Sequence, residues 1–500
     1  MKTLKIMTGC LISILLLTAC DKFLELQPRD KKVVSTIEDY RDIMASYMRF
    51  LKTPNRSQLP IFGGYFINPY FDIAKYLGIY TGETQLTQES SLYYDKNKST
   101  YTTDGRKILT WMNTEPYCWN QYYSFLGPIN LIISDIRTAE GSNEDLRNYV
   151  LGEALTWRAY SYFKLLQYFS PYQNNQYGVP VYLKPADDIG NAMPSRNTQQ
   201  EVFGQIIQDC REALNLLEIT ESNPWNCAWR EDFLNAMMAG IYCWKAMSGA
   251  AEESDWENAE KCAALAMKGR QLANSSAILK QMFNCRDVTT STAMEHDEFF
   301  FRIVDGNNGQ VFNFVNAYYK GGLVDGTVNA QYYKLFKEND IRKTAYFTSD
   351  GTQSDKYNLL GLGGGIISAA KGGCLLPFRL AEMYLIRAEA LARQGKNGEA
   401  REILRTFKTA RYTGPFDIPG DANGLLQEIL DERTREFYME NDFRWLDMKR
   451  LGIRMERVIS GENFILEPDD FRYAFPIPAK EIELNSNMIQ NPGWEHIILN

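Results

Sequence analysis

The chain has 500 residues, 45% of them apolar and 23% charged, a soluble globular balance that excludes a disordered, collagen-like or disulfide-scaffold protein. Its 54 basic and 62 acidic side chains leave a net charge of −8, which argues against nucleic acid as the main partner, because phosphate binding needs a basic surface. His296 and His496 are the only histidines, so a multi-histidine metal site or a histidine triad has almost nowhere to sit.

Lys2 and Lys5 precede an apolar stretch that begins near Ile6, contains Ile12 to Leu17 and closes on Leu17-Thr18-Ala19-Cys20. That is the layout of a signal peptide over residues 1–19, too short for a stable transmembrane span. The last four residues resemble the bacterial lipobox, which implies cleavage before Cys20 and lipid on its sulfur. The mature chain then carries 52 basic and 62 acidic residues, a net −10. Later in the chain no window holds 18 consecutive apolar residues, so the membrane is expected to be reached through the N-terminal lipid only. Seven further cysteines remain, an odd number with no CxxC, which suggests no disulfide framework. Cys210, Cys243 and Cys262 fall in helical patterns and read as small buried hydrophobes.

Residues 51–118 carry Tyr65, Tyr70, Trp111 and other aromatics among Gly, Asn, Ser and Thr, without helical periodicity. From Trp119 the pattern changes. Apolar residues recur every three or four positions over 119–136, 146–169, 198–217, 231–250 and 254–269, and again over 379–395, 397–412 and 425–450. Gly249, Gly269 and Gly395 read as helix stops, with Ser254 and Asn397 as N-caps. The helices pair at about 34 residues. In each pair small residues (Gly152 and Ala154; Ala239 and Ala259; Ala388 and Ala400) face larger ones (Tyr160; Tyr242; Tyr384 and Leu404), the logic of a degenerate tetratricopeptide-like repeat. Between the helical regions, residues 272–377 form a second irregular tract, with Tyr318, Tyr319 and many glycines. Long irregular stretches of this kind usually carry function.

Motifs for chemistry are sparse. Gly361-Leu362-Gly363-Gly364-Gly365 fails both phosphate-loop patterns and reads as a turn. His296 stands beside Asp297 and Glu298, which could orient it, but no nucleophile is signalled and the default is a surface histidine. Asp431 to Glu436 alternates charges at helical neighbour positions, as a salt-bridged helix face does. The aromatic tracts are the stronger signal, because sugar rings stack on Trp and Tyr while amides and carboxylates bond the hydroxyls.

The C-terminal segment FPIPAKEIELNSNMIQNPGW, residues 475–494, resembles the closing signature of the SusD/RagB family of Bacteroidetes outer-membrane lipoproteins. The match includes Pro476, Pro478, Glu481, Asn485, Asn487, Gln490, Asn491 and Pro492. Residues 379–395 resemble that family's most recognisable helix. Residues 432–452 resemble its RRxEFxxEGxRWxDLxRxG segment, with Asn441 in place of the usual Gly. The CDKFLE opening at Cys20 and WNQYYSFLGPINLII also fit. The resemblance implies a mainly α fold of four tetratricopeptide-like helix pairs plus a loop-rich ligand-binding half, in a single domain over 20–500. It implies a surface-exposed outer-membrane lipoprotein whose partner is a SusC-like TonB-dependent β-barrel on which it sits as a hinged lid; no catalytic residue, cofactor or metal ligand is assigned. Trp445, Arg444 and Asp447 then become packing and ion-pair residues, and Pro476, Pro478 and Pro492 fix an extended segment that wraps the body.

The expected activity is capture of an oligosaccharide or polysaccharide and its delivery to that barrel. A peptide binder of the RagB type and a helical-barrel glycosidase are the alternatives. Binding residues do not transfer from the family by position. The aromatic tracts nominate Tyr65, Tyr70, Trp111, Tyr318 and Tyr319 as a stacking platform, with Asn113 and Asn316 as hydrogen-bonding neighbours.

Overall fold

The structure, a computed structural model, describes residues 34–52, 81, 83, 99–103, 106–110, 118–184, 193–221, 228–283, 296–301, 303–305, 330–351, 354, 356, 373–375, 378–440, 442–459 and 462–495. It is mainly helical. In chain order the elements are α1 (Ile37–Lys52), β1 (Ser99–Thr103), β2 (Arg106–Thr110), α2 (Cys118–Asp135), α3 (Glu144–Phe169), α4 (Gln199–Glu218), α5 (Glu231–Lys245), α6 (Asp255–Met267) and α7 (Ser276–Met282). There follow β3 (Ile303–Asp305), α8 (Ala330–Tyr333), α9 (Ile341–Tyr346), β4 (Gly373–Leu375), α10 (Leu380–Arg393), α11 (Asn397–Arg411), α12 (Ala422–Glu436), α13 (Phe443–Leu451), β5 (Met455–Ile459), β6 (Glu462–Leu466) and α14 (Ala479–Leu484). The described strands form three antiparallel pairs, β1–β2, β3–β4 and β5–β6. No described helix is long and apolar enough to cross a membrane.

The three helix pairs expected from the sequence are the ones that form: α3 packs on α4, α5 on α6 and α10 on α11. Contacts of α10 with α6 and with α12 join the pairs into one stack. Small residues set the approach. A β-carbon on Gly152 of α3 would lie 2.2 Å from the Trp229 indole, so only glycine leaves the notch that ring occupies. The Trp229 indole N–H donates to the Ala213 carbonyl of α4 at 2.8 Å and completes the fit. Ala388, Ala400 and Leu404 are fully buried between α10 and α11. Thr198 and Glu201 close a capping box on α4, satisfying N–H groups that the first helical turn cannot reach.

Some expected details differ. Gly269 and Gly395 do end helices, at φ of 75° and 76°. Gly249 does not: α5 has stopped at Lys245, and Gly249 is instead a close-approach residue, its β-carbon position 2.4 Å from the Asn175 nitrogen. Ser254 occupies the N-cap of α6 without a side-chain capping bond. Asn397 is the first helical residue of α11, and Lys396 is the N-cap. The stretch 425–450 is not one helix. It breaks after Glu436, turns through Met439 at φ 51° and resumes at Phe443, with Phe437 and Phe443 stacked across the elbow at 4.3 Å. Helix α1, not among the expected helices, carries a clear apolar stripe; Ile37, Tyr40, Met44 and Met48 are all buried. Cys210, Cys243 and Cys262 are buried thiols, and burial pushes Cys243 up to about 12 and Cys262 to about 11.

Candidate ligand-facing site

A few described residues of each irregular tract reach the elbow between α12 and α13. From the second tract, Glu298, Arg342 and Lys356 reach it, and Arg379 joins at the start of α10. Each is fully or almost fully buried. Arg379 pairs with Glu298 at 2.6 Å, Glu440 at 2.7 Å and Glu436 at 3.1 Å. Arg342 pairs with Asp340 at 2.8 Å, Glu432 at 2.7 Å and Glu436 at 3.1 Å. Arg411 binds Glu298 at 2.8 Å and Glu436 at 2.9 Å, and Lys356 binds Glu440 at 2.9 Å. From the first tract, the Glu83 carboxylate accepts the Met439 N–H at 2.8 Å, and the Thr81 carbonyl accepts the Tyr332 hydroxyl at 2.9 Å.

With Arg435 and Lys408, which pair with Glu432 at 2.9 and 3.7 Å and both with Glu428, the network holds six cations and six carboxylates. That balance is what makes burial tolerable, since an unpaired buried ion costs several kcal/mol. Burial opposes ionisation of Glu436, but the Arg411 and Arg379 guanidiniums outweigh it and hold the carboxyl well below the ordinary range. Burial is likewise outweighed at Glu432, by Arg342 and Arg435, and its pKa falls to about 2. At Lys356 burial wins and lowers the ammonium pKa. The charge run 431–436 does hold a salt bridge along the helix, Arg435 with Glu432, but that is the smaller part of its pairing. Glu432 and Glu436 are fully buried, and their main partners lie on other elements. His296 is half-buried, and its Nδ1 accepts the Glu298 N–H at 3.1 Å. The Glu298 carboxylate does not orient it, because Arg379 and Arg411 take that group.

Open grooves lie on the described surface. One, of about 640 Å³, runs between α8, α12, α13 and β5, with Leu335, Leu430, Leu451 and Met455 beside Arg393 and Arg444. Its size falls within the ~300–1,000 Å³ of ordinary ligand pockets. A second, of about 540 Å³, is polar and is lined by Gln208, Arg211, Asn215 and Asn258 on the α4 and α6 side. The third, of about 230 Å³, has aromatic walls: Trp119 and Tyr123 of α2 and Tyr182, with Lys184 and Glu481 at its edge. The Trp119 and Tyr123 ring centroids are 4.8 Å apart, and those of Tyr123 and Tyr182 are 5.5 Å apart. Much of its polar capacity is already used. The Tyr123 hydroxyl donates to the Pro180 carbonyl at 2.8 Å. Asn130 donates to Tyr182 O and accepts from Arg158. The cleft falls on WNQYY, which the sequence places in the helical scaffold; its signal is the spacing of Trp119 and Tyr123 on one helix face.

All the nominated platform residues (Tyr65, Tyr70, Trp111, Tyr318, Tyr319, Asn113 and Asn316) lie outside the described residues, as do the lipidation candidate Cys20, the glycine run at 361–365 and His496.

Residues 66–226 match a family model described as starch-binding and associating with the outer membrane, and residues 368–494 match the model of the SusD family. The chain belongs to the SusD/RagB family. Across almost its whole length it is similar to SusD-like protein P38 of Formosa agariphila, with 24% identity covering 96% of this chain and 98% of that protein. A shorter stretch is 34% identical to the starch-binding protein SusD of Bacteroides thetaiotaomicron, covering 24% of this chain and 21% of that protein. The fold matches the crystal structure of a SusD superfamily protein from Bacteroides thetaiotaomicron with a TM-score of 0.65, at 21% identity over 91% of this chain and all of that one.

The SusD signature at the C-terminus is a set of backbone clamps. Asn491 Nδ2 donates to the carbonyls of Phe169 and Phe475 at 2.7 and 2.6 Å, while its Oδ1 accepts from Arg196 at 2.7 Å. Gln490 exchanges both amide bonds with Ile477, at 2.8 and 2.9 Å. Asn485 and Asn487 hold the carbonyls of Pro194 and Met193. Prolines at 476, 478 and 492 keep the segment extended between these clamps. Asp447 pairs with Arg433 at 3.0 Å and Arg450 at 2.7 Å. Trp445 is buried 4.8 Å from the Tyr473 ring. Arg444 lies over the Tyr332 ring at 5.8 Å and donates to Thr434.

Proposed function

We propose that this protein is a lipid-anchored, surface-exposed glycan-binding protein that captures an oligosaccharide and passes it to a SusC-like TonB-dependent β-barrel without catalysing a reaction. The observation that carries this reading is the match of residues 66–226 to the starch-binding family model. That span takes in Tyr70, Trp111 and Asn113 of the expected platform. The lipobox-like Leu17-Thr18-Ala19-Cys20 supports an anchor at Cys20. The mature chain, 20–500, acts as one unit in which the two irregular tracts present the ligand surface and the ion-paired elbow fixes their roots. Capture works by stacking a few sugar faces on Tyr65, Tyr70, Trp111, Tyr318 and Tyr319, with Asn113 and Asn316 bonding hydroxyls.

A second reading has one observation in its favour. The 640 Å³ groove combines apolar walls with two arginines, Arg393 and Arg444, and two aspartates, Asp431 and Asp447, a lining that suits the mixed side chains of an extended peptide. The deciding experiment is native affinity electrophoresis of the chain beginning after Cys20 on a polysaccharide panel, with a peptide panel by calorimetry alongside. Retardation by one glycan class is the expected result. Peptide binding with no retardation on any glycan overturns glycan capture. Unchanged reducing ends after incubation with the bound polysaccharide are expected of a non-catalytic protein, and their increase overturns that part of the reading.

A further inference from the structure

Exposed apolar side chains are ordinary one at a time and informative when they gather. Among the described residues six large ones are more than half exposed, and three of the six, Met193 (51%), Leu484 (66%) and Ile489 (53%), meet at the C-terminal clamps. Asn487 donates to the Met193 carbonyl at 2.6 Å, Asn485 to the Pro194 carbonyl at 2.8 Å and Arg196 to the Ile489 carbonyl at 3.3 Å, which ties segment 193–196 to segment 485–489. The aromatic cleft of about 230 Å³ adjoins them. Glu481 of α14 lies at its edge, and Leu484 is the next residue on the same side of that helix.

The cleft suits an apolar guest better than a sugar. Most of its neutral polar groups are spent: the Tyr123 hydroxyl on Pro180, the Asn130 amide on Tyr182 and Arg158, and the Tyr182 N–H and carbonyl on the Tyr162 hydroxyl. Gly127 opens the floor, since no described atom lies within 4 Å of where its β-carbon would stand.

We propose that this surface, the cleft with Met193, Leu484 and Ile489 beside it, docks a protein held in the same membrane, which places one large apolar side chain in the cleft. The proposal rests on the lipid anchor of the function given above, on which that protein is the β-barrel. Two observations select such a partner over lipid. The first is the tether. The 14 residues from Cys20 to Val33 span at most about 50 Å. The described chain then begins beside the end of α2, where the Ile37 N–H donates to the Glu140 carbonyl and the Tyr40 hydroxyl to Asp135. The cleft lies on α2 as well, from Trp119 to Asn130, so it stands within that helix's length of about 27 Å from the tether's root. An anchored chain therefore keeps the surface within reach of its neighbours in the membrane and raises its effective concentration there. The second is shape and charge. Sinking this surface into a bilayer would carry Glu481 and the exposed Glu483 with it, and carboxylates are costly in hydrocarbon. A protein loop can fill the concave cleft with a single anchor, the device that supplies most of the energy of many interfaces, and set charges opposite Lys184 and Glu481 at the rim.

The test uses the full, lipidated chain in its own outer membrane, with photo-crosslinking benzoylphenylalanine in place of Leu484 or, for comparison, of Ile219, which is exposed at the end of α4. Mass spectrometry maps the products. The expected result is one integral membrane protein joined through an exposed loop at position 484, with about tenfold less at 219. Gly127→Leu fills the cleft from a helical position where leucine is favoured over glycine, so it should keep the fold and lower the yield at 484 about tenfold, as loss of one anchor does. Crosslinks at 484 to lipid only, to a second copy of this chain or to nothing overturn the proposal, as does an unchanged yield in folded Gly127→Leu protein. If that variant does not fold, the contrast between 484 and 219 decides alone. A β-barrel joined at 219 and not at 484 overturns this surface and leaves the barrel as partner, whereas a different membrane protein joined at 484 keeps the surface and removes the barrel.

Discussion

The helix pairs and the elbow between α12 and α13 solve the same problem, bringing distant segments together, by opposite means. Between α3 and α4 the contact is made by removing atoms. Gly152 leaves a notch, the Trp229 ring fills it, and one indole hydrogen bond fixes the ring. At the elbow the contact is made by charges, six cations against six carboxylates, all buried but Glu428. The first device depends on shape and tolerates loss of charge. The second tolerates little change in composition, because each group is buried only on condition that its partners stay. The elbow also ties Glu83 of the first irregular tract and Glu298, Arg342 and Lys356 of the second, so the more brittle device supports the surface that we assign to the ligand.

Substitutions should separate the two devices. Arg379→Ala leaves Glu298, Glu436 and Glu440 each short of a partner, and removing one side of a buried ion pair typically costs about 3–5 kcal/mol. The urea midpoint should fall accordingly, by more than for any single helix-pair substitution.

The next effect is one of pH. Burial raises Glu382 to about 7, with the nearby Arg433 only partly offsetting it. A carboxyl whose folded pKa is raised binds its proton more tightly in the native state. Its contribution is therefore full below the unfolded value near 4.5 and is lost as pH climbs to about 7, a change of about 3 kcal/mol at most. Glu432 and Asp447, both lowered to about 2, act in the reverse sense, losing their contribution as pH falls below 4.5. Glu382→Gln should flatten the decline in stability between pH 4.5 and 7 and leave the acid limb in place. An unchanged decline would remove Glu382 as its source.

Smaller effects belong to the helix pairs. Gly152→Ala drives a methyl into the Trp229 ring and should cost about 1–3 kcal/mol, with a change in tryptophan fluorescence. Gly204→Ala, in α4 with nothing within 4 Å of its β-carbon position, should instead gain about 0.5–1 kcal/mol. A loss at Gly204, or no loss at Gly152, would mean that small residues do not set the approach of α3 and α4.

The same contrast explains what the sequence disclosed. Helix pairing was legible because its signals are local: apolar residues three and four apart, with Gly152, Ala388 and Ala400 at the crossings. The elbow was not, because its pairing is remote. Arg379 meets Glu298 and Arg411 meets Glu298 across 81 and 113 positions, whereas the eye pairs Glu432 with Arg435 inside one turn. The break at 437–442 was hidden for the same reason, since a turn through Met439 at positive φ leaves no glycine to mark it. The C-terminal clamps were legible as a motif but not as chemistry; only the structure shows that Asn491 ties two carbonyls and Arg196 together. The aromatic platform was chosen from composition alone, and its residues lie outside the described part of the chain.

The most direct measurement is therefore calorimetry of the chain beginning after Cys20 with whichever glycan retards it, beside the variant in which Tyr65, Tyr70, Trp111, Tyr318 and Tyr319 are all Ala. Glycan capture by stacking predicts a wild-type Kd in the micromolar to millimolar range, about −4 to −8 kcal/mol, and no measurable binding by a variant that keeps the wild-type helical spectrum and melting midpoint. Equal affinity in the two proteins would contradict it.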